Sequence, residues 1–248
     1  MGNVSFDFTG RTLLLTGATG GIGRRTAELF HAAGANLVLL DLNEGALRAM
    51  AGDLGGDRVE VVAGDAGAED RINTALGAAR ERFGRLDYVV PAAGIYPEAS
   101  LVDTDDELWR RVMSINLDGV FRLLRASVPV LADGGAVVNF ASVAGHRGSK
   151  KHGHYAASKA AIIALTRSLA LECDRGIRVN AVSPGTIETP MVEALVRDRG
   201  DKMLSETPLR RNGQPEEVAA VVAFLCSDAA SFITGETVHV NGGLFMAG

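Results

Sequence analysis

Short apolar runs alternate along the chain with longer stretches that have the spacing of amphipathic helices. The runs show no alternation of polar and apolar residues, so strands formed by them would be buried on both faces. Strands that alternate with helices pair in parallel through right-handed crossovers. We predict strands at residues 12–16, 36–40, 58–63, 86–90, 136–140, 178–182 and 237–240, and helices at 21–33, 68–83, 105–131, 155–173 and 215–226.

This pattern predicts one α/β domain over residues 1–248, with a doubly wound parallel sheet of about seven strands and helices on both faces. No repeat or linker marks a second domain. Residues 184–213 are the least regular stretch, and their glycine and proline content favours a mobile segment over the site. Gly119 lies inside the longest helical stretch, which could bend there.

Composition narrows the possible partners and locations. The 248 residues are 47% hydrophobic and 22% charged, with a net charge of -5 that offers no basic field for nucleic acid or an anionic membrane. Cys173 and Cys226 are the only cysteines. Their separation indicates a reducing compartment and no structural metal site. With no signal peptide and no membrane span visible, we expect a cytoplasmic protein.

The glycine-rich turn TGATGGIG follows the first predicted strand and precedes a helix. Glycines permit a tight turn and let the backbone approach a pyrophosphate, and the helix N-terminus offers unpaired N–H groups. At this place in a strand–helix pattern, the turn predicts dinucleotide binding rather than a plain turn. Its candidate contacts are Gly17, Thr19, Gly21, Ile22 and Gly23.

Two aspartates follow the second and third strands. Asp41 stands 18 residues after Gly23, where an acid can accept hydrogen bonds from the adenosine ribose and repel a 2′-phosphate. This favours NAD over NADP, although Asp41 could instead cap a helix near Asn43. Asp65, followed by Ala66, could accept from the adenine amino group or cap the next helix.

Tyr155 and Lys159 lie four residues apart on a predicted helix, and Ser142 ends the fifth strand. An ammonium group one turn away favours a phenolate, which makes a tyrosine usable as an acid/base near neutral pH. Ser142 could hold a substrate oxygen or cap the following turn. The tyrosine–lysine pair alone could equally be an ordinary pair on a helix surface.

Together these motifs resemble those of the short-chain dehydrogenase/reductase family, which has a Rossmann fold, over essentially the full chain. The resemblance rests on Thr16–Gly23, Asp65, Ala92–Gly94, Asn116, Ser142, Tyr155–Lys159, Pro184–Pro190 and the tail Ser227–Gly243. It implies Tyr155 as the acid/base, Lys159 as the group that lowers the pKa of Tyr155 and binds the nicotinamide ribose, and Ser142 as the group that polarises the carbonyl.

The resemblance implies further contacts. Asn116 would hold a water that links Lys159 to solvent. Ala93 and Gly94 would approach the cofactor, and Pro184, Gly185, Ile187 and Thr189 would pass beside the nicotinamide. A homotetramer is also implied. Pro91 departs from the family, which usually has Asn there, and its missing N–H predicts a weaker sheet or lower cofactor affinity.

Substrate signals are few. Tyr96, Glu98 and His152 are candidate substrate contacts, and the basic segment at residues 147–154 could attract an acidic substrate or carrier protein or simply be a solvated loop. We predict an NAD-preferring oxidoreductase of secondary alcohols and ketones. The alternatives are an NADPH-dependent 3-oxoacyl thioester reductase and a catalytically silent dinucleotide sensor.

Overall fold

The computed structural model describes residues 4–192 and 204–247 of the chain. Seven parallel strands form one sheet in the order β3-β2-β1-β4-β5-β6-β7, which confirms the predicted fold class. All seven predicted strands occur, and their ends agree within two residues. They are β1 (Thr12–Thr16), β2 (Asn36–Asp41), β3 (Val59–Ala63), β4 (Tyr88–Pro91), β5 (Ala136–Phe140), β6 (Arg178–Pro184) and β7 (Thr237–Val240).

Helices connect the strands and cover both faces of the sheet. The helices α2 and α6 were not among the predicted helices. The stretch predicted as a helix at residues 105–131 is helical and is interrupted by a wider turn before Gly119. The described α-helices are α1 (Gly21–Ala32), α2 (Glu44–Asp53), α3 (Glu69–Phe83), α4 (Asp106–Met113), α5 (Gly119–Ser127), α6 (Val143–Arg147), α7 (Gly153–Glu172) and α8 (Pro215–Cys226). None of the helices in the described ranges is long and apolar enough to cross a membrane.

The central strand shows why continuous apolar runs form this sheet. Successive side chains of a strand point to opposite faces. Leu13 and Leu15 pack in the apolar cluster that includes Phe30 of α1, whereas Leu14 packs in the opposite cluster with Leu123 of α5. Every residue of β1 is buried, as a strand with helices on both sides requires.

A π-helical turn, Ser114–Asp118, separates α4 from α5. The wider turn interrupts the helix predicted at 105–131 and carries the side chain of Asn116 into the interior, where it is fully buried. A Cβ on Gly119, directly after the turn, would lie 3.3 Å from the Cα of Gly67. The glycine therefore lets the loop after β3 pack closely on this helix.

The sheet order places a crevice beside β1. β1 pairs with β2 on one side and with β4 on the other, so the chain winds outward in both directions from this point. Ligands of open α/β sheets bind outside the carboxyl ends of the strands where the winding reverses. The strand-end residues singled out in the sequence lie at this edge.

Candidate active site

A cleft of about 560 Å³ runs along the carboxyl ends of the strands. Asp41 lies at one end, and Ser142, Tyr155 and Lys159 lie at the other. Every residue predicted to contact the cofactor lines this cleft: Gly17, Thr19, Gly21, Ile22, Gly23, Asp41, Asp65, Ala66, Ala93, Gly94, Tyr155, Lys159, Pro184, Gly185, Ile187 and Thr189.

The glycine-rich turn between β1 and α1 is shaped for close backbone approach. Gly17 has φ +64°, and a Cβ there would lie 2.6 Å from the backbone nitrogen of Ala93. A Cβ on Gly23 would collide with the carbonyl oxygen of Gly17. The helix α1 has no side-chain cap and no acidic residue in its first turn, so its N–H groups suit a diphosphate.

The carboxylate of Asp41 is fixed by two backbone groups. Its Oδ2 accepts a hydrogen bond from the N–H of Thr19 at 3.0 Å, and its Oδ1 accepts from the N–H of Asn43 at 3.2 Å. Asn43, rather than Asp41, caps α2 by accepting from the N–H of Ala46. The alternative of Asp41 as the cap is therefore wrong, and the acid stands at the mouth of the cleft.

Asp65 and Ala66 form the edge of the cleft after β3. The Oδ1 of Asp65 accepts from the N–H of Gly67 at 2.8 Å, which closes a local turn. The N-cap of α3 is Ala68, without a side-chain cap, so Asp65 does not cap that helix. Of the two roles that the sequence left open for Asp65, capping of the next helix is therefore excluded.

Pro91 is a buried residue at the end of the central strand β4. In the parallel ladder the N–H of Asp87 donates to the carbonyl of Thr12, so the residue at 91 would donate to Thr16. The N–H of Ala92 donates to Thr16 instead, at 3.2 Å. The sheet retains a hydrogen bond at this position despite the proline.

Ser142 and Tyr155 both line the cleft, and the Ser142 hydroxyl favours ionisation of the Tyr155 phenol. Ser142 precedes α6 and its hydroxyl accepts from the N–H of Ala144 at 3.1 Å, so this serine caps the following turn, while its hold on a substrate oxygen stays a prediction. Tyr155 lies in the first turn of α7. Burial raises the pKa of Tyr155 to about 12, an effect that exceeds the opposite effect of Ser142.

Lys159 lies one turn after Tyr155 and is almost completely buried. Its ammonium group is 5.7 Å from the centre of the Tyr155 ring and donates to the carbonyl oxygen of Phe140 at 2.7 Å. Burial lowers the pKa of Lys159 to about 8. The predicted lowering of the Tyr155 pKa is not seen, because burial of the phenol is the largest effect on it.

Asn116 makes contacts that the sequence did not predict. Its Oδ1 accepts from the N–H of Ile95 and its Nδ2 donates to the carbonyl of Ile95, both at 2.9 Å. Nδ2 also lies 3.4 Å from the hydroxyl of Ser158, which donates to the carbonyl of Tyr155. Asn116 joins the loop after β4 to α7, while its role in holding a water stays a prediction.

The segment after β6 lies over the glycine-rich turn. A Cβ on Gly21 would be 2.6 Å from Cγ2 of Thr189, and Ile187 is buried. Backbone bonds from Glu188 to Gly213 and from Gly213 to Thr186 join the two ends of the predicted mobile segment 184–213. Its central part, residues 193–203, lies outside the described residues.

The three substrate candidates are not among the described residues that line the cleft. Tyr96 packs edge-on against Tyr155, with 4.6 Å between ring centres, and stacks on His152. Glu98 pairs with Lys151 at 2.6 Å. A substrate contact at these residues stays a prediction.

The cleft geometry defines a dinucleotide-binding oxidoreductase. A family model described as Enoyl-(Acyl carrier protein) reductase matches residues 17–245. The 3-oxoacyl-[acyl-carrier-protein] reductase FabG of Thermotoga maritima is 39% identical over 95% of this chain and 98% of its own length. The Escherichia coli protein of the same name is 39% identical over 97% of this chain and 99% of its own length.

A crystal structure from Brucella melitensis, titled Short-chain dehydrogenase/reductase SDR:Glucose/ribitol dehydrogenase, is 49% identical. It covers 98% of this chain and 100% of its own, with a TM-score of 0.96. The chain belongs to the short-chain dehydrogenase/reductase family. It is an NAD(P)-dependent oxidoreductase that acts on CH–OH or keto groups.

Proposed function

We propose that the protein transfers a hydride between NAD(H) and a secondary alcohol or ketone, with Tyr155 as the acid/base. The observation that carries this proposal is the placement of the Ser142 and Tyr155 hydroxyl groups at one end of the dinucleotide-sized cleft. A substrate oxygen placed between these two hydroxyl groups would be held by both. The bound nicotinamide ring supplies or accepts the hydride.

Tyr155, Ser142 and Lys159 have different roles in the proton transfer. Tyr155 gives its proton to the substrate oxygen in reduction and takes it back in oxidation. Ser142 polarises the carbonyl and fixes the oxygen. The raised pKa of Tyr155 requires additional stabilisation of its phenolate in oxidation, and the ammonium group of Lys159 is the nearest cation to supply it.

Asp41 supports NAD over NADP. Its carboxylate lies at the end of the cleft that suits the adenosine ribose, where a 2′-phosphate would meet like charge. Arg24 pairs with Glu28 and Asp53, and Arg25 pairs with Glu28 and Glu216. Among the described residues that line the cleft, Lys159 is the only cation, and it is at the opposite end.

A 3-oxoacyl thioester reductase is the second candidate, and the names of the curated relatives favour this substrate class. Relatives at 39% identity over nearly the whole chain are called 3-oxoacyl-[acyl-carrier-protein] reductases. The keto group of such a thioester would take the same place between Ser142 and Tyr155. Under this second proposal, the cofactor is NADPH and Asp41 does not set cofactor choice.

One set of rate measurements tests both proposals. Purified protein is assayed at 340 nm with NADH and NADPH against acetoacetyl-coenzyme A, and with NAD and NADP against secondary alcohols ranging from aliphatic alcohols to polyols. Tyr155→Phe is expected to lower kcat at least about 100-fold, since it removes the proton donor. Activity that persists in Tyr155→Phe overturns the mechanism.

The same assays test cofactor choice with a matched pair of variants. Asp41→Asn keeps the shape of the side chain but removes its charge, and is expected to raise kcat/KM for NADP(H) relative to NAD(H) by about 10-fold or more. Asp57→Asn is the control, since Asp57 does not line the cleft. Faster turnover of acetoacetyl-coenzyme A with NADPH than with NADH by the wild type supports the second candidate.

We further propose a homotetramer located in the cytoplasm.

A further inference from the structure

Two aromatic rings are packed in series against the ring of Tyr155. The rings of Tyr96 and Tyr155 are nearly perpendicular, at 81°, with 4.6 Å between their centres. The ring of His152 is parallel to Tyr96, at 4°, with 3.9 Å between centres. His152 is buried, and neither Tyr96 nor His152 is among the described residues that line the cleft. The stack therefore reaches Tyr155 through ring packing.

The outer ring is fixed to the helix that carries Tyr155. The Nδ1 of His152 lies 2.9 Å from the carbonyl oxygen of Lys150, so Nδ1 carries the proton and donates it. The N–H of His152 donates to Ser149, and its carbonyl accepts from Ala156 in the first turn of α7. His152 consequently has a fixed orientation relative to Tyr155, three residues later.

The inner ring is fixed from the other side by the π-helical turn. Asn116 holds both backbone groups of Ile95, the residue before Tyr96, through two bonds of 2.9 Å. Four residues after Ile95, the N–H of Ala99 donates to the carbonyl of Lys151 at 2.9 Å. The segment that carries Tyr96 is thus held at one end by Asn116 of the π-helical turn and at the other end by the loop before α7.

We propose that Tyr96, supported by His152, is a positioning residue that sets the orientation of the Tyr155 phenol toward Ser142. The inference rests on the proposed role of Tyr155 as the acid/base. A tyrosine side chain turns about two bonds, and a displacement of about 1 Å at the reacting atom can cost about 100-fold in rate. A nearly perpendicular ring packed against Tyr155 restricts that rotation.

A pair of variants separates the ring of Tyr96 from its hydroxyl. Tyr96→Phe keeps the ring and is expected to keep kcat within about 3-fold, whereas Tyr96→Leu is expected to lower kcat at least about 10-fold. The KM values and the dissociation constant of the cofactor, measured by calorimetry with NADH, are expected to stay within about 3-fold in both. The substrate is the one turned over fastest in the panel described above.

A double variant shows whether the effect passes through Tyr155. Tyr96→Leu combined with Tyr155→Phe is expected to be no slower than Tyr155→Phe alone, since a positioning residue has nothing left to position. Full additivity of the two losses overturns the proposal. So does a loss confined to KM, which would make Tyr96 a substrate contact, or equal losses in Tyr96→Phe and Tyr96→Leu.

The failure of this proposal is distinct from failure of the proposed function. If Tyr155→Phe is inactive but Tyr96→Leu has wild-type kcat, only the positioning role is overturned. If Tyr96→Leu loses its NADH binding or its circular dichroism spectrum, His152→Leu serves as the second test, because it removes the supporting ring and leaves Tyr96. It is expected to lower kcat about 3-fold to 10-fold, and wild-type kcat in this variant overturns the proposal.

Discussion

The ammonium group of Lys159 donates a 2.7 Å hydrogen bond to the carbonyl oxygen of Phe140, the last residue of β5. This bond joins α7, which carries Tyr155, to the strand that leads to Ser142. A buried cation held by one described carbonyl contact has its pKa lowered, to about 8. The burial of Lys159 should therefore make the free energy of unfolding depend on pH.

The free energy of unfolding should rise between about pH 8 and pH 10 because of Lys159. The folded protein binds fewer protons than the unfolded chain above the lowered pKa, so stability increases with pH, by up to about 3 kcal/mol at 1.36 kcal/mol per pKa unit. Cys226 and Tyr155, whose pKa values burial raises to about 12, act in the opposite direction above about pH 9 and about pH 10, so the contribution of Lys159 is the difference between the wild type and a Lys159 variant. Urea unfolding of Lys159→Met should lack this rise.

The control for that measurement is Lys150→Met, which changes an exposed lysine. It should retain the wild-type rise in stability. A rise of the same size in Lys159→Met would show that this lysine is not the source.

Replacing Gly17 by alanine should weaken both the fold and dinucleotide binding. The new Cβ would lie 2.6 Å from the Ala93 nitrogen at a φ of +64°. Gly10→Ala is the matched control, since Gly10 has φ +74° with open space around it and carries only the left-handed strain, about 1 kcal/mol. Melting temperatures and NADH calorimetry should both fall further in Gly17→Ala, and equal effects would argue against close packing of this turn.

Asp87 is a buried carboxylate that three neighbours hold in place. Its oxygens accept from the N–H of Thr12 and from the guanidinium groups of Arg11 and Arg85. Asp87→Ala should lower the free energy of unfolding by about 3 kcal/mol, because it leaves a buried N–H without its acceptor. Arg11→Ala should cost about 1 kcal/mol or less, since that arginine is partly exposed. Urea denaturation of the two variants measures whether Asp87→Ala loses more stability than Arg11→Ala.

Acid should destabilise the protein through buried histidines. Burial lowers the pKa values of His146, His154 and His239, and the rings of His146 and His239 lie 4.7 Å apart. The unfolded chain therefore binds more protons below about pH 6.5, and stability falls as the pH decreases from there. His239→Phe should reduce this fall in unfolding experiments from pH 7 to pH 5, and an unchanged pH dependence would contradict the assignment.

The residues that could be identified from sequence patterns are those whose proposed role depends on the local backbone geometry. Gly17, Gly23 and Asp41 could be found from the sequence because tight turns and strand ends recur at fixed offsets. The contact between Asn116 and Ile95 could not, since it joins residues 21 positions apart through a π-helical turn that no periodicity indicates. The helix α6 has five residues, too few for apolar positions to repeat at helical spacing.

Burial was the other property that the sequence did not reveal. The spacing of Tyr155 and Lys159 predicts that the two are neighbours, and they are. Whether the neighbouring charge or the loss of solvent controls the phenol depends on how deeply α7 packs against the sheet. Packing also brings the ring of Tyr96 against Tyr155 and the ring of His152 against Tyr96.

The two backbone bonds to Asp41 have a further consequence for ligand selectivity. A free aspartate samples several rotamers, and holding it in one of them to meet a ligand carries an entropic cost. Here that restriction is already imposed by Thr19 and Asn43 when the chain folds. Under the proposed preference for NAD, the two bonds also oppose displacement of the carboxylate by a bulky anion, so the rigidity of the turn would add to the effect of its charge.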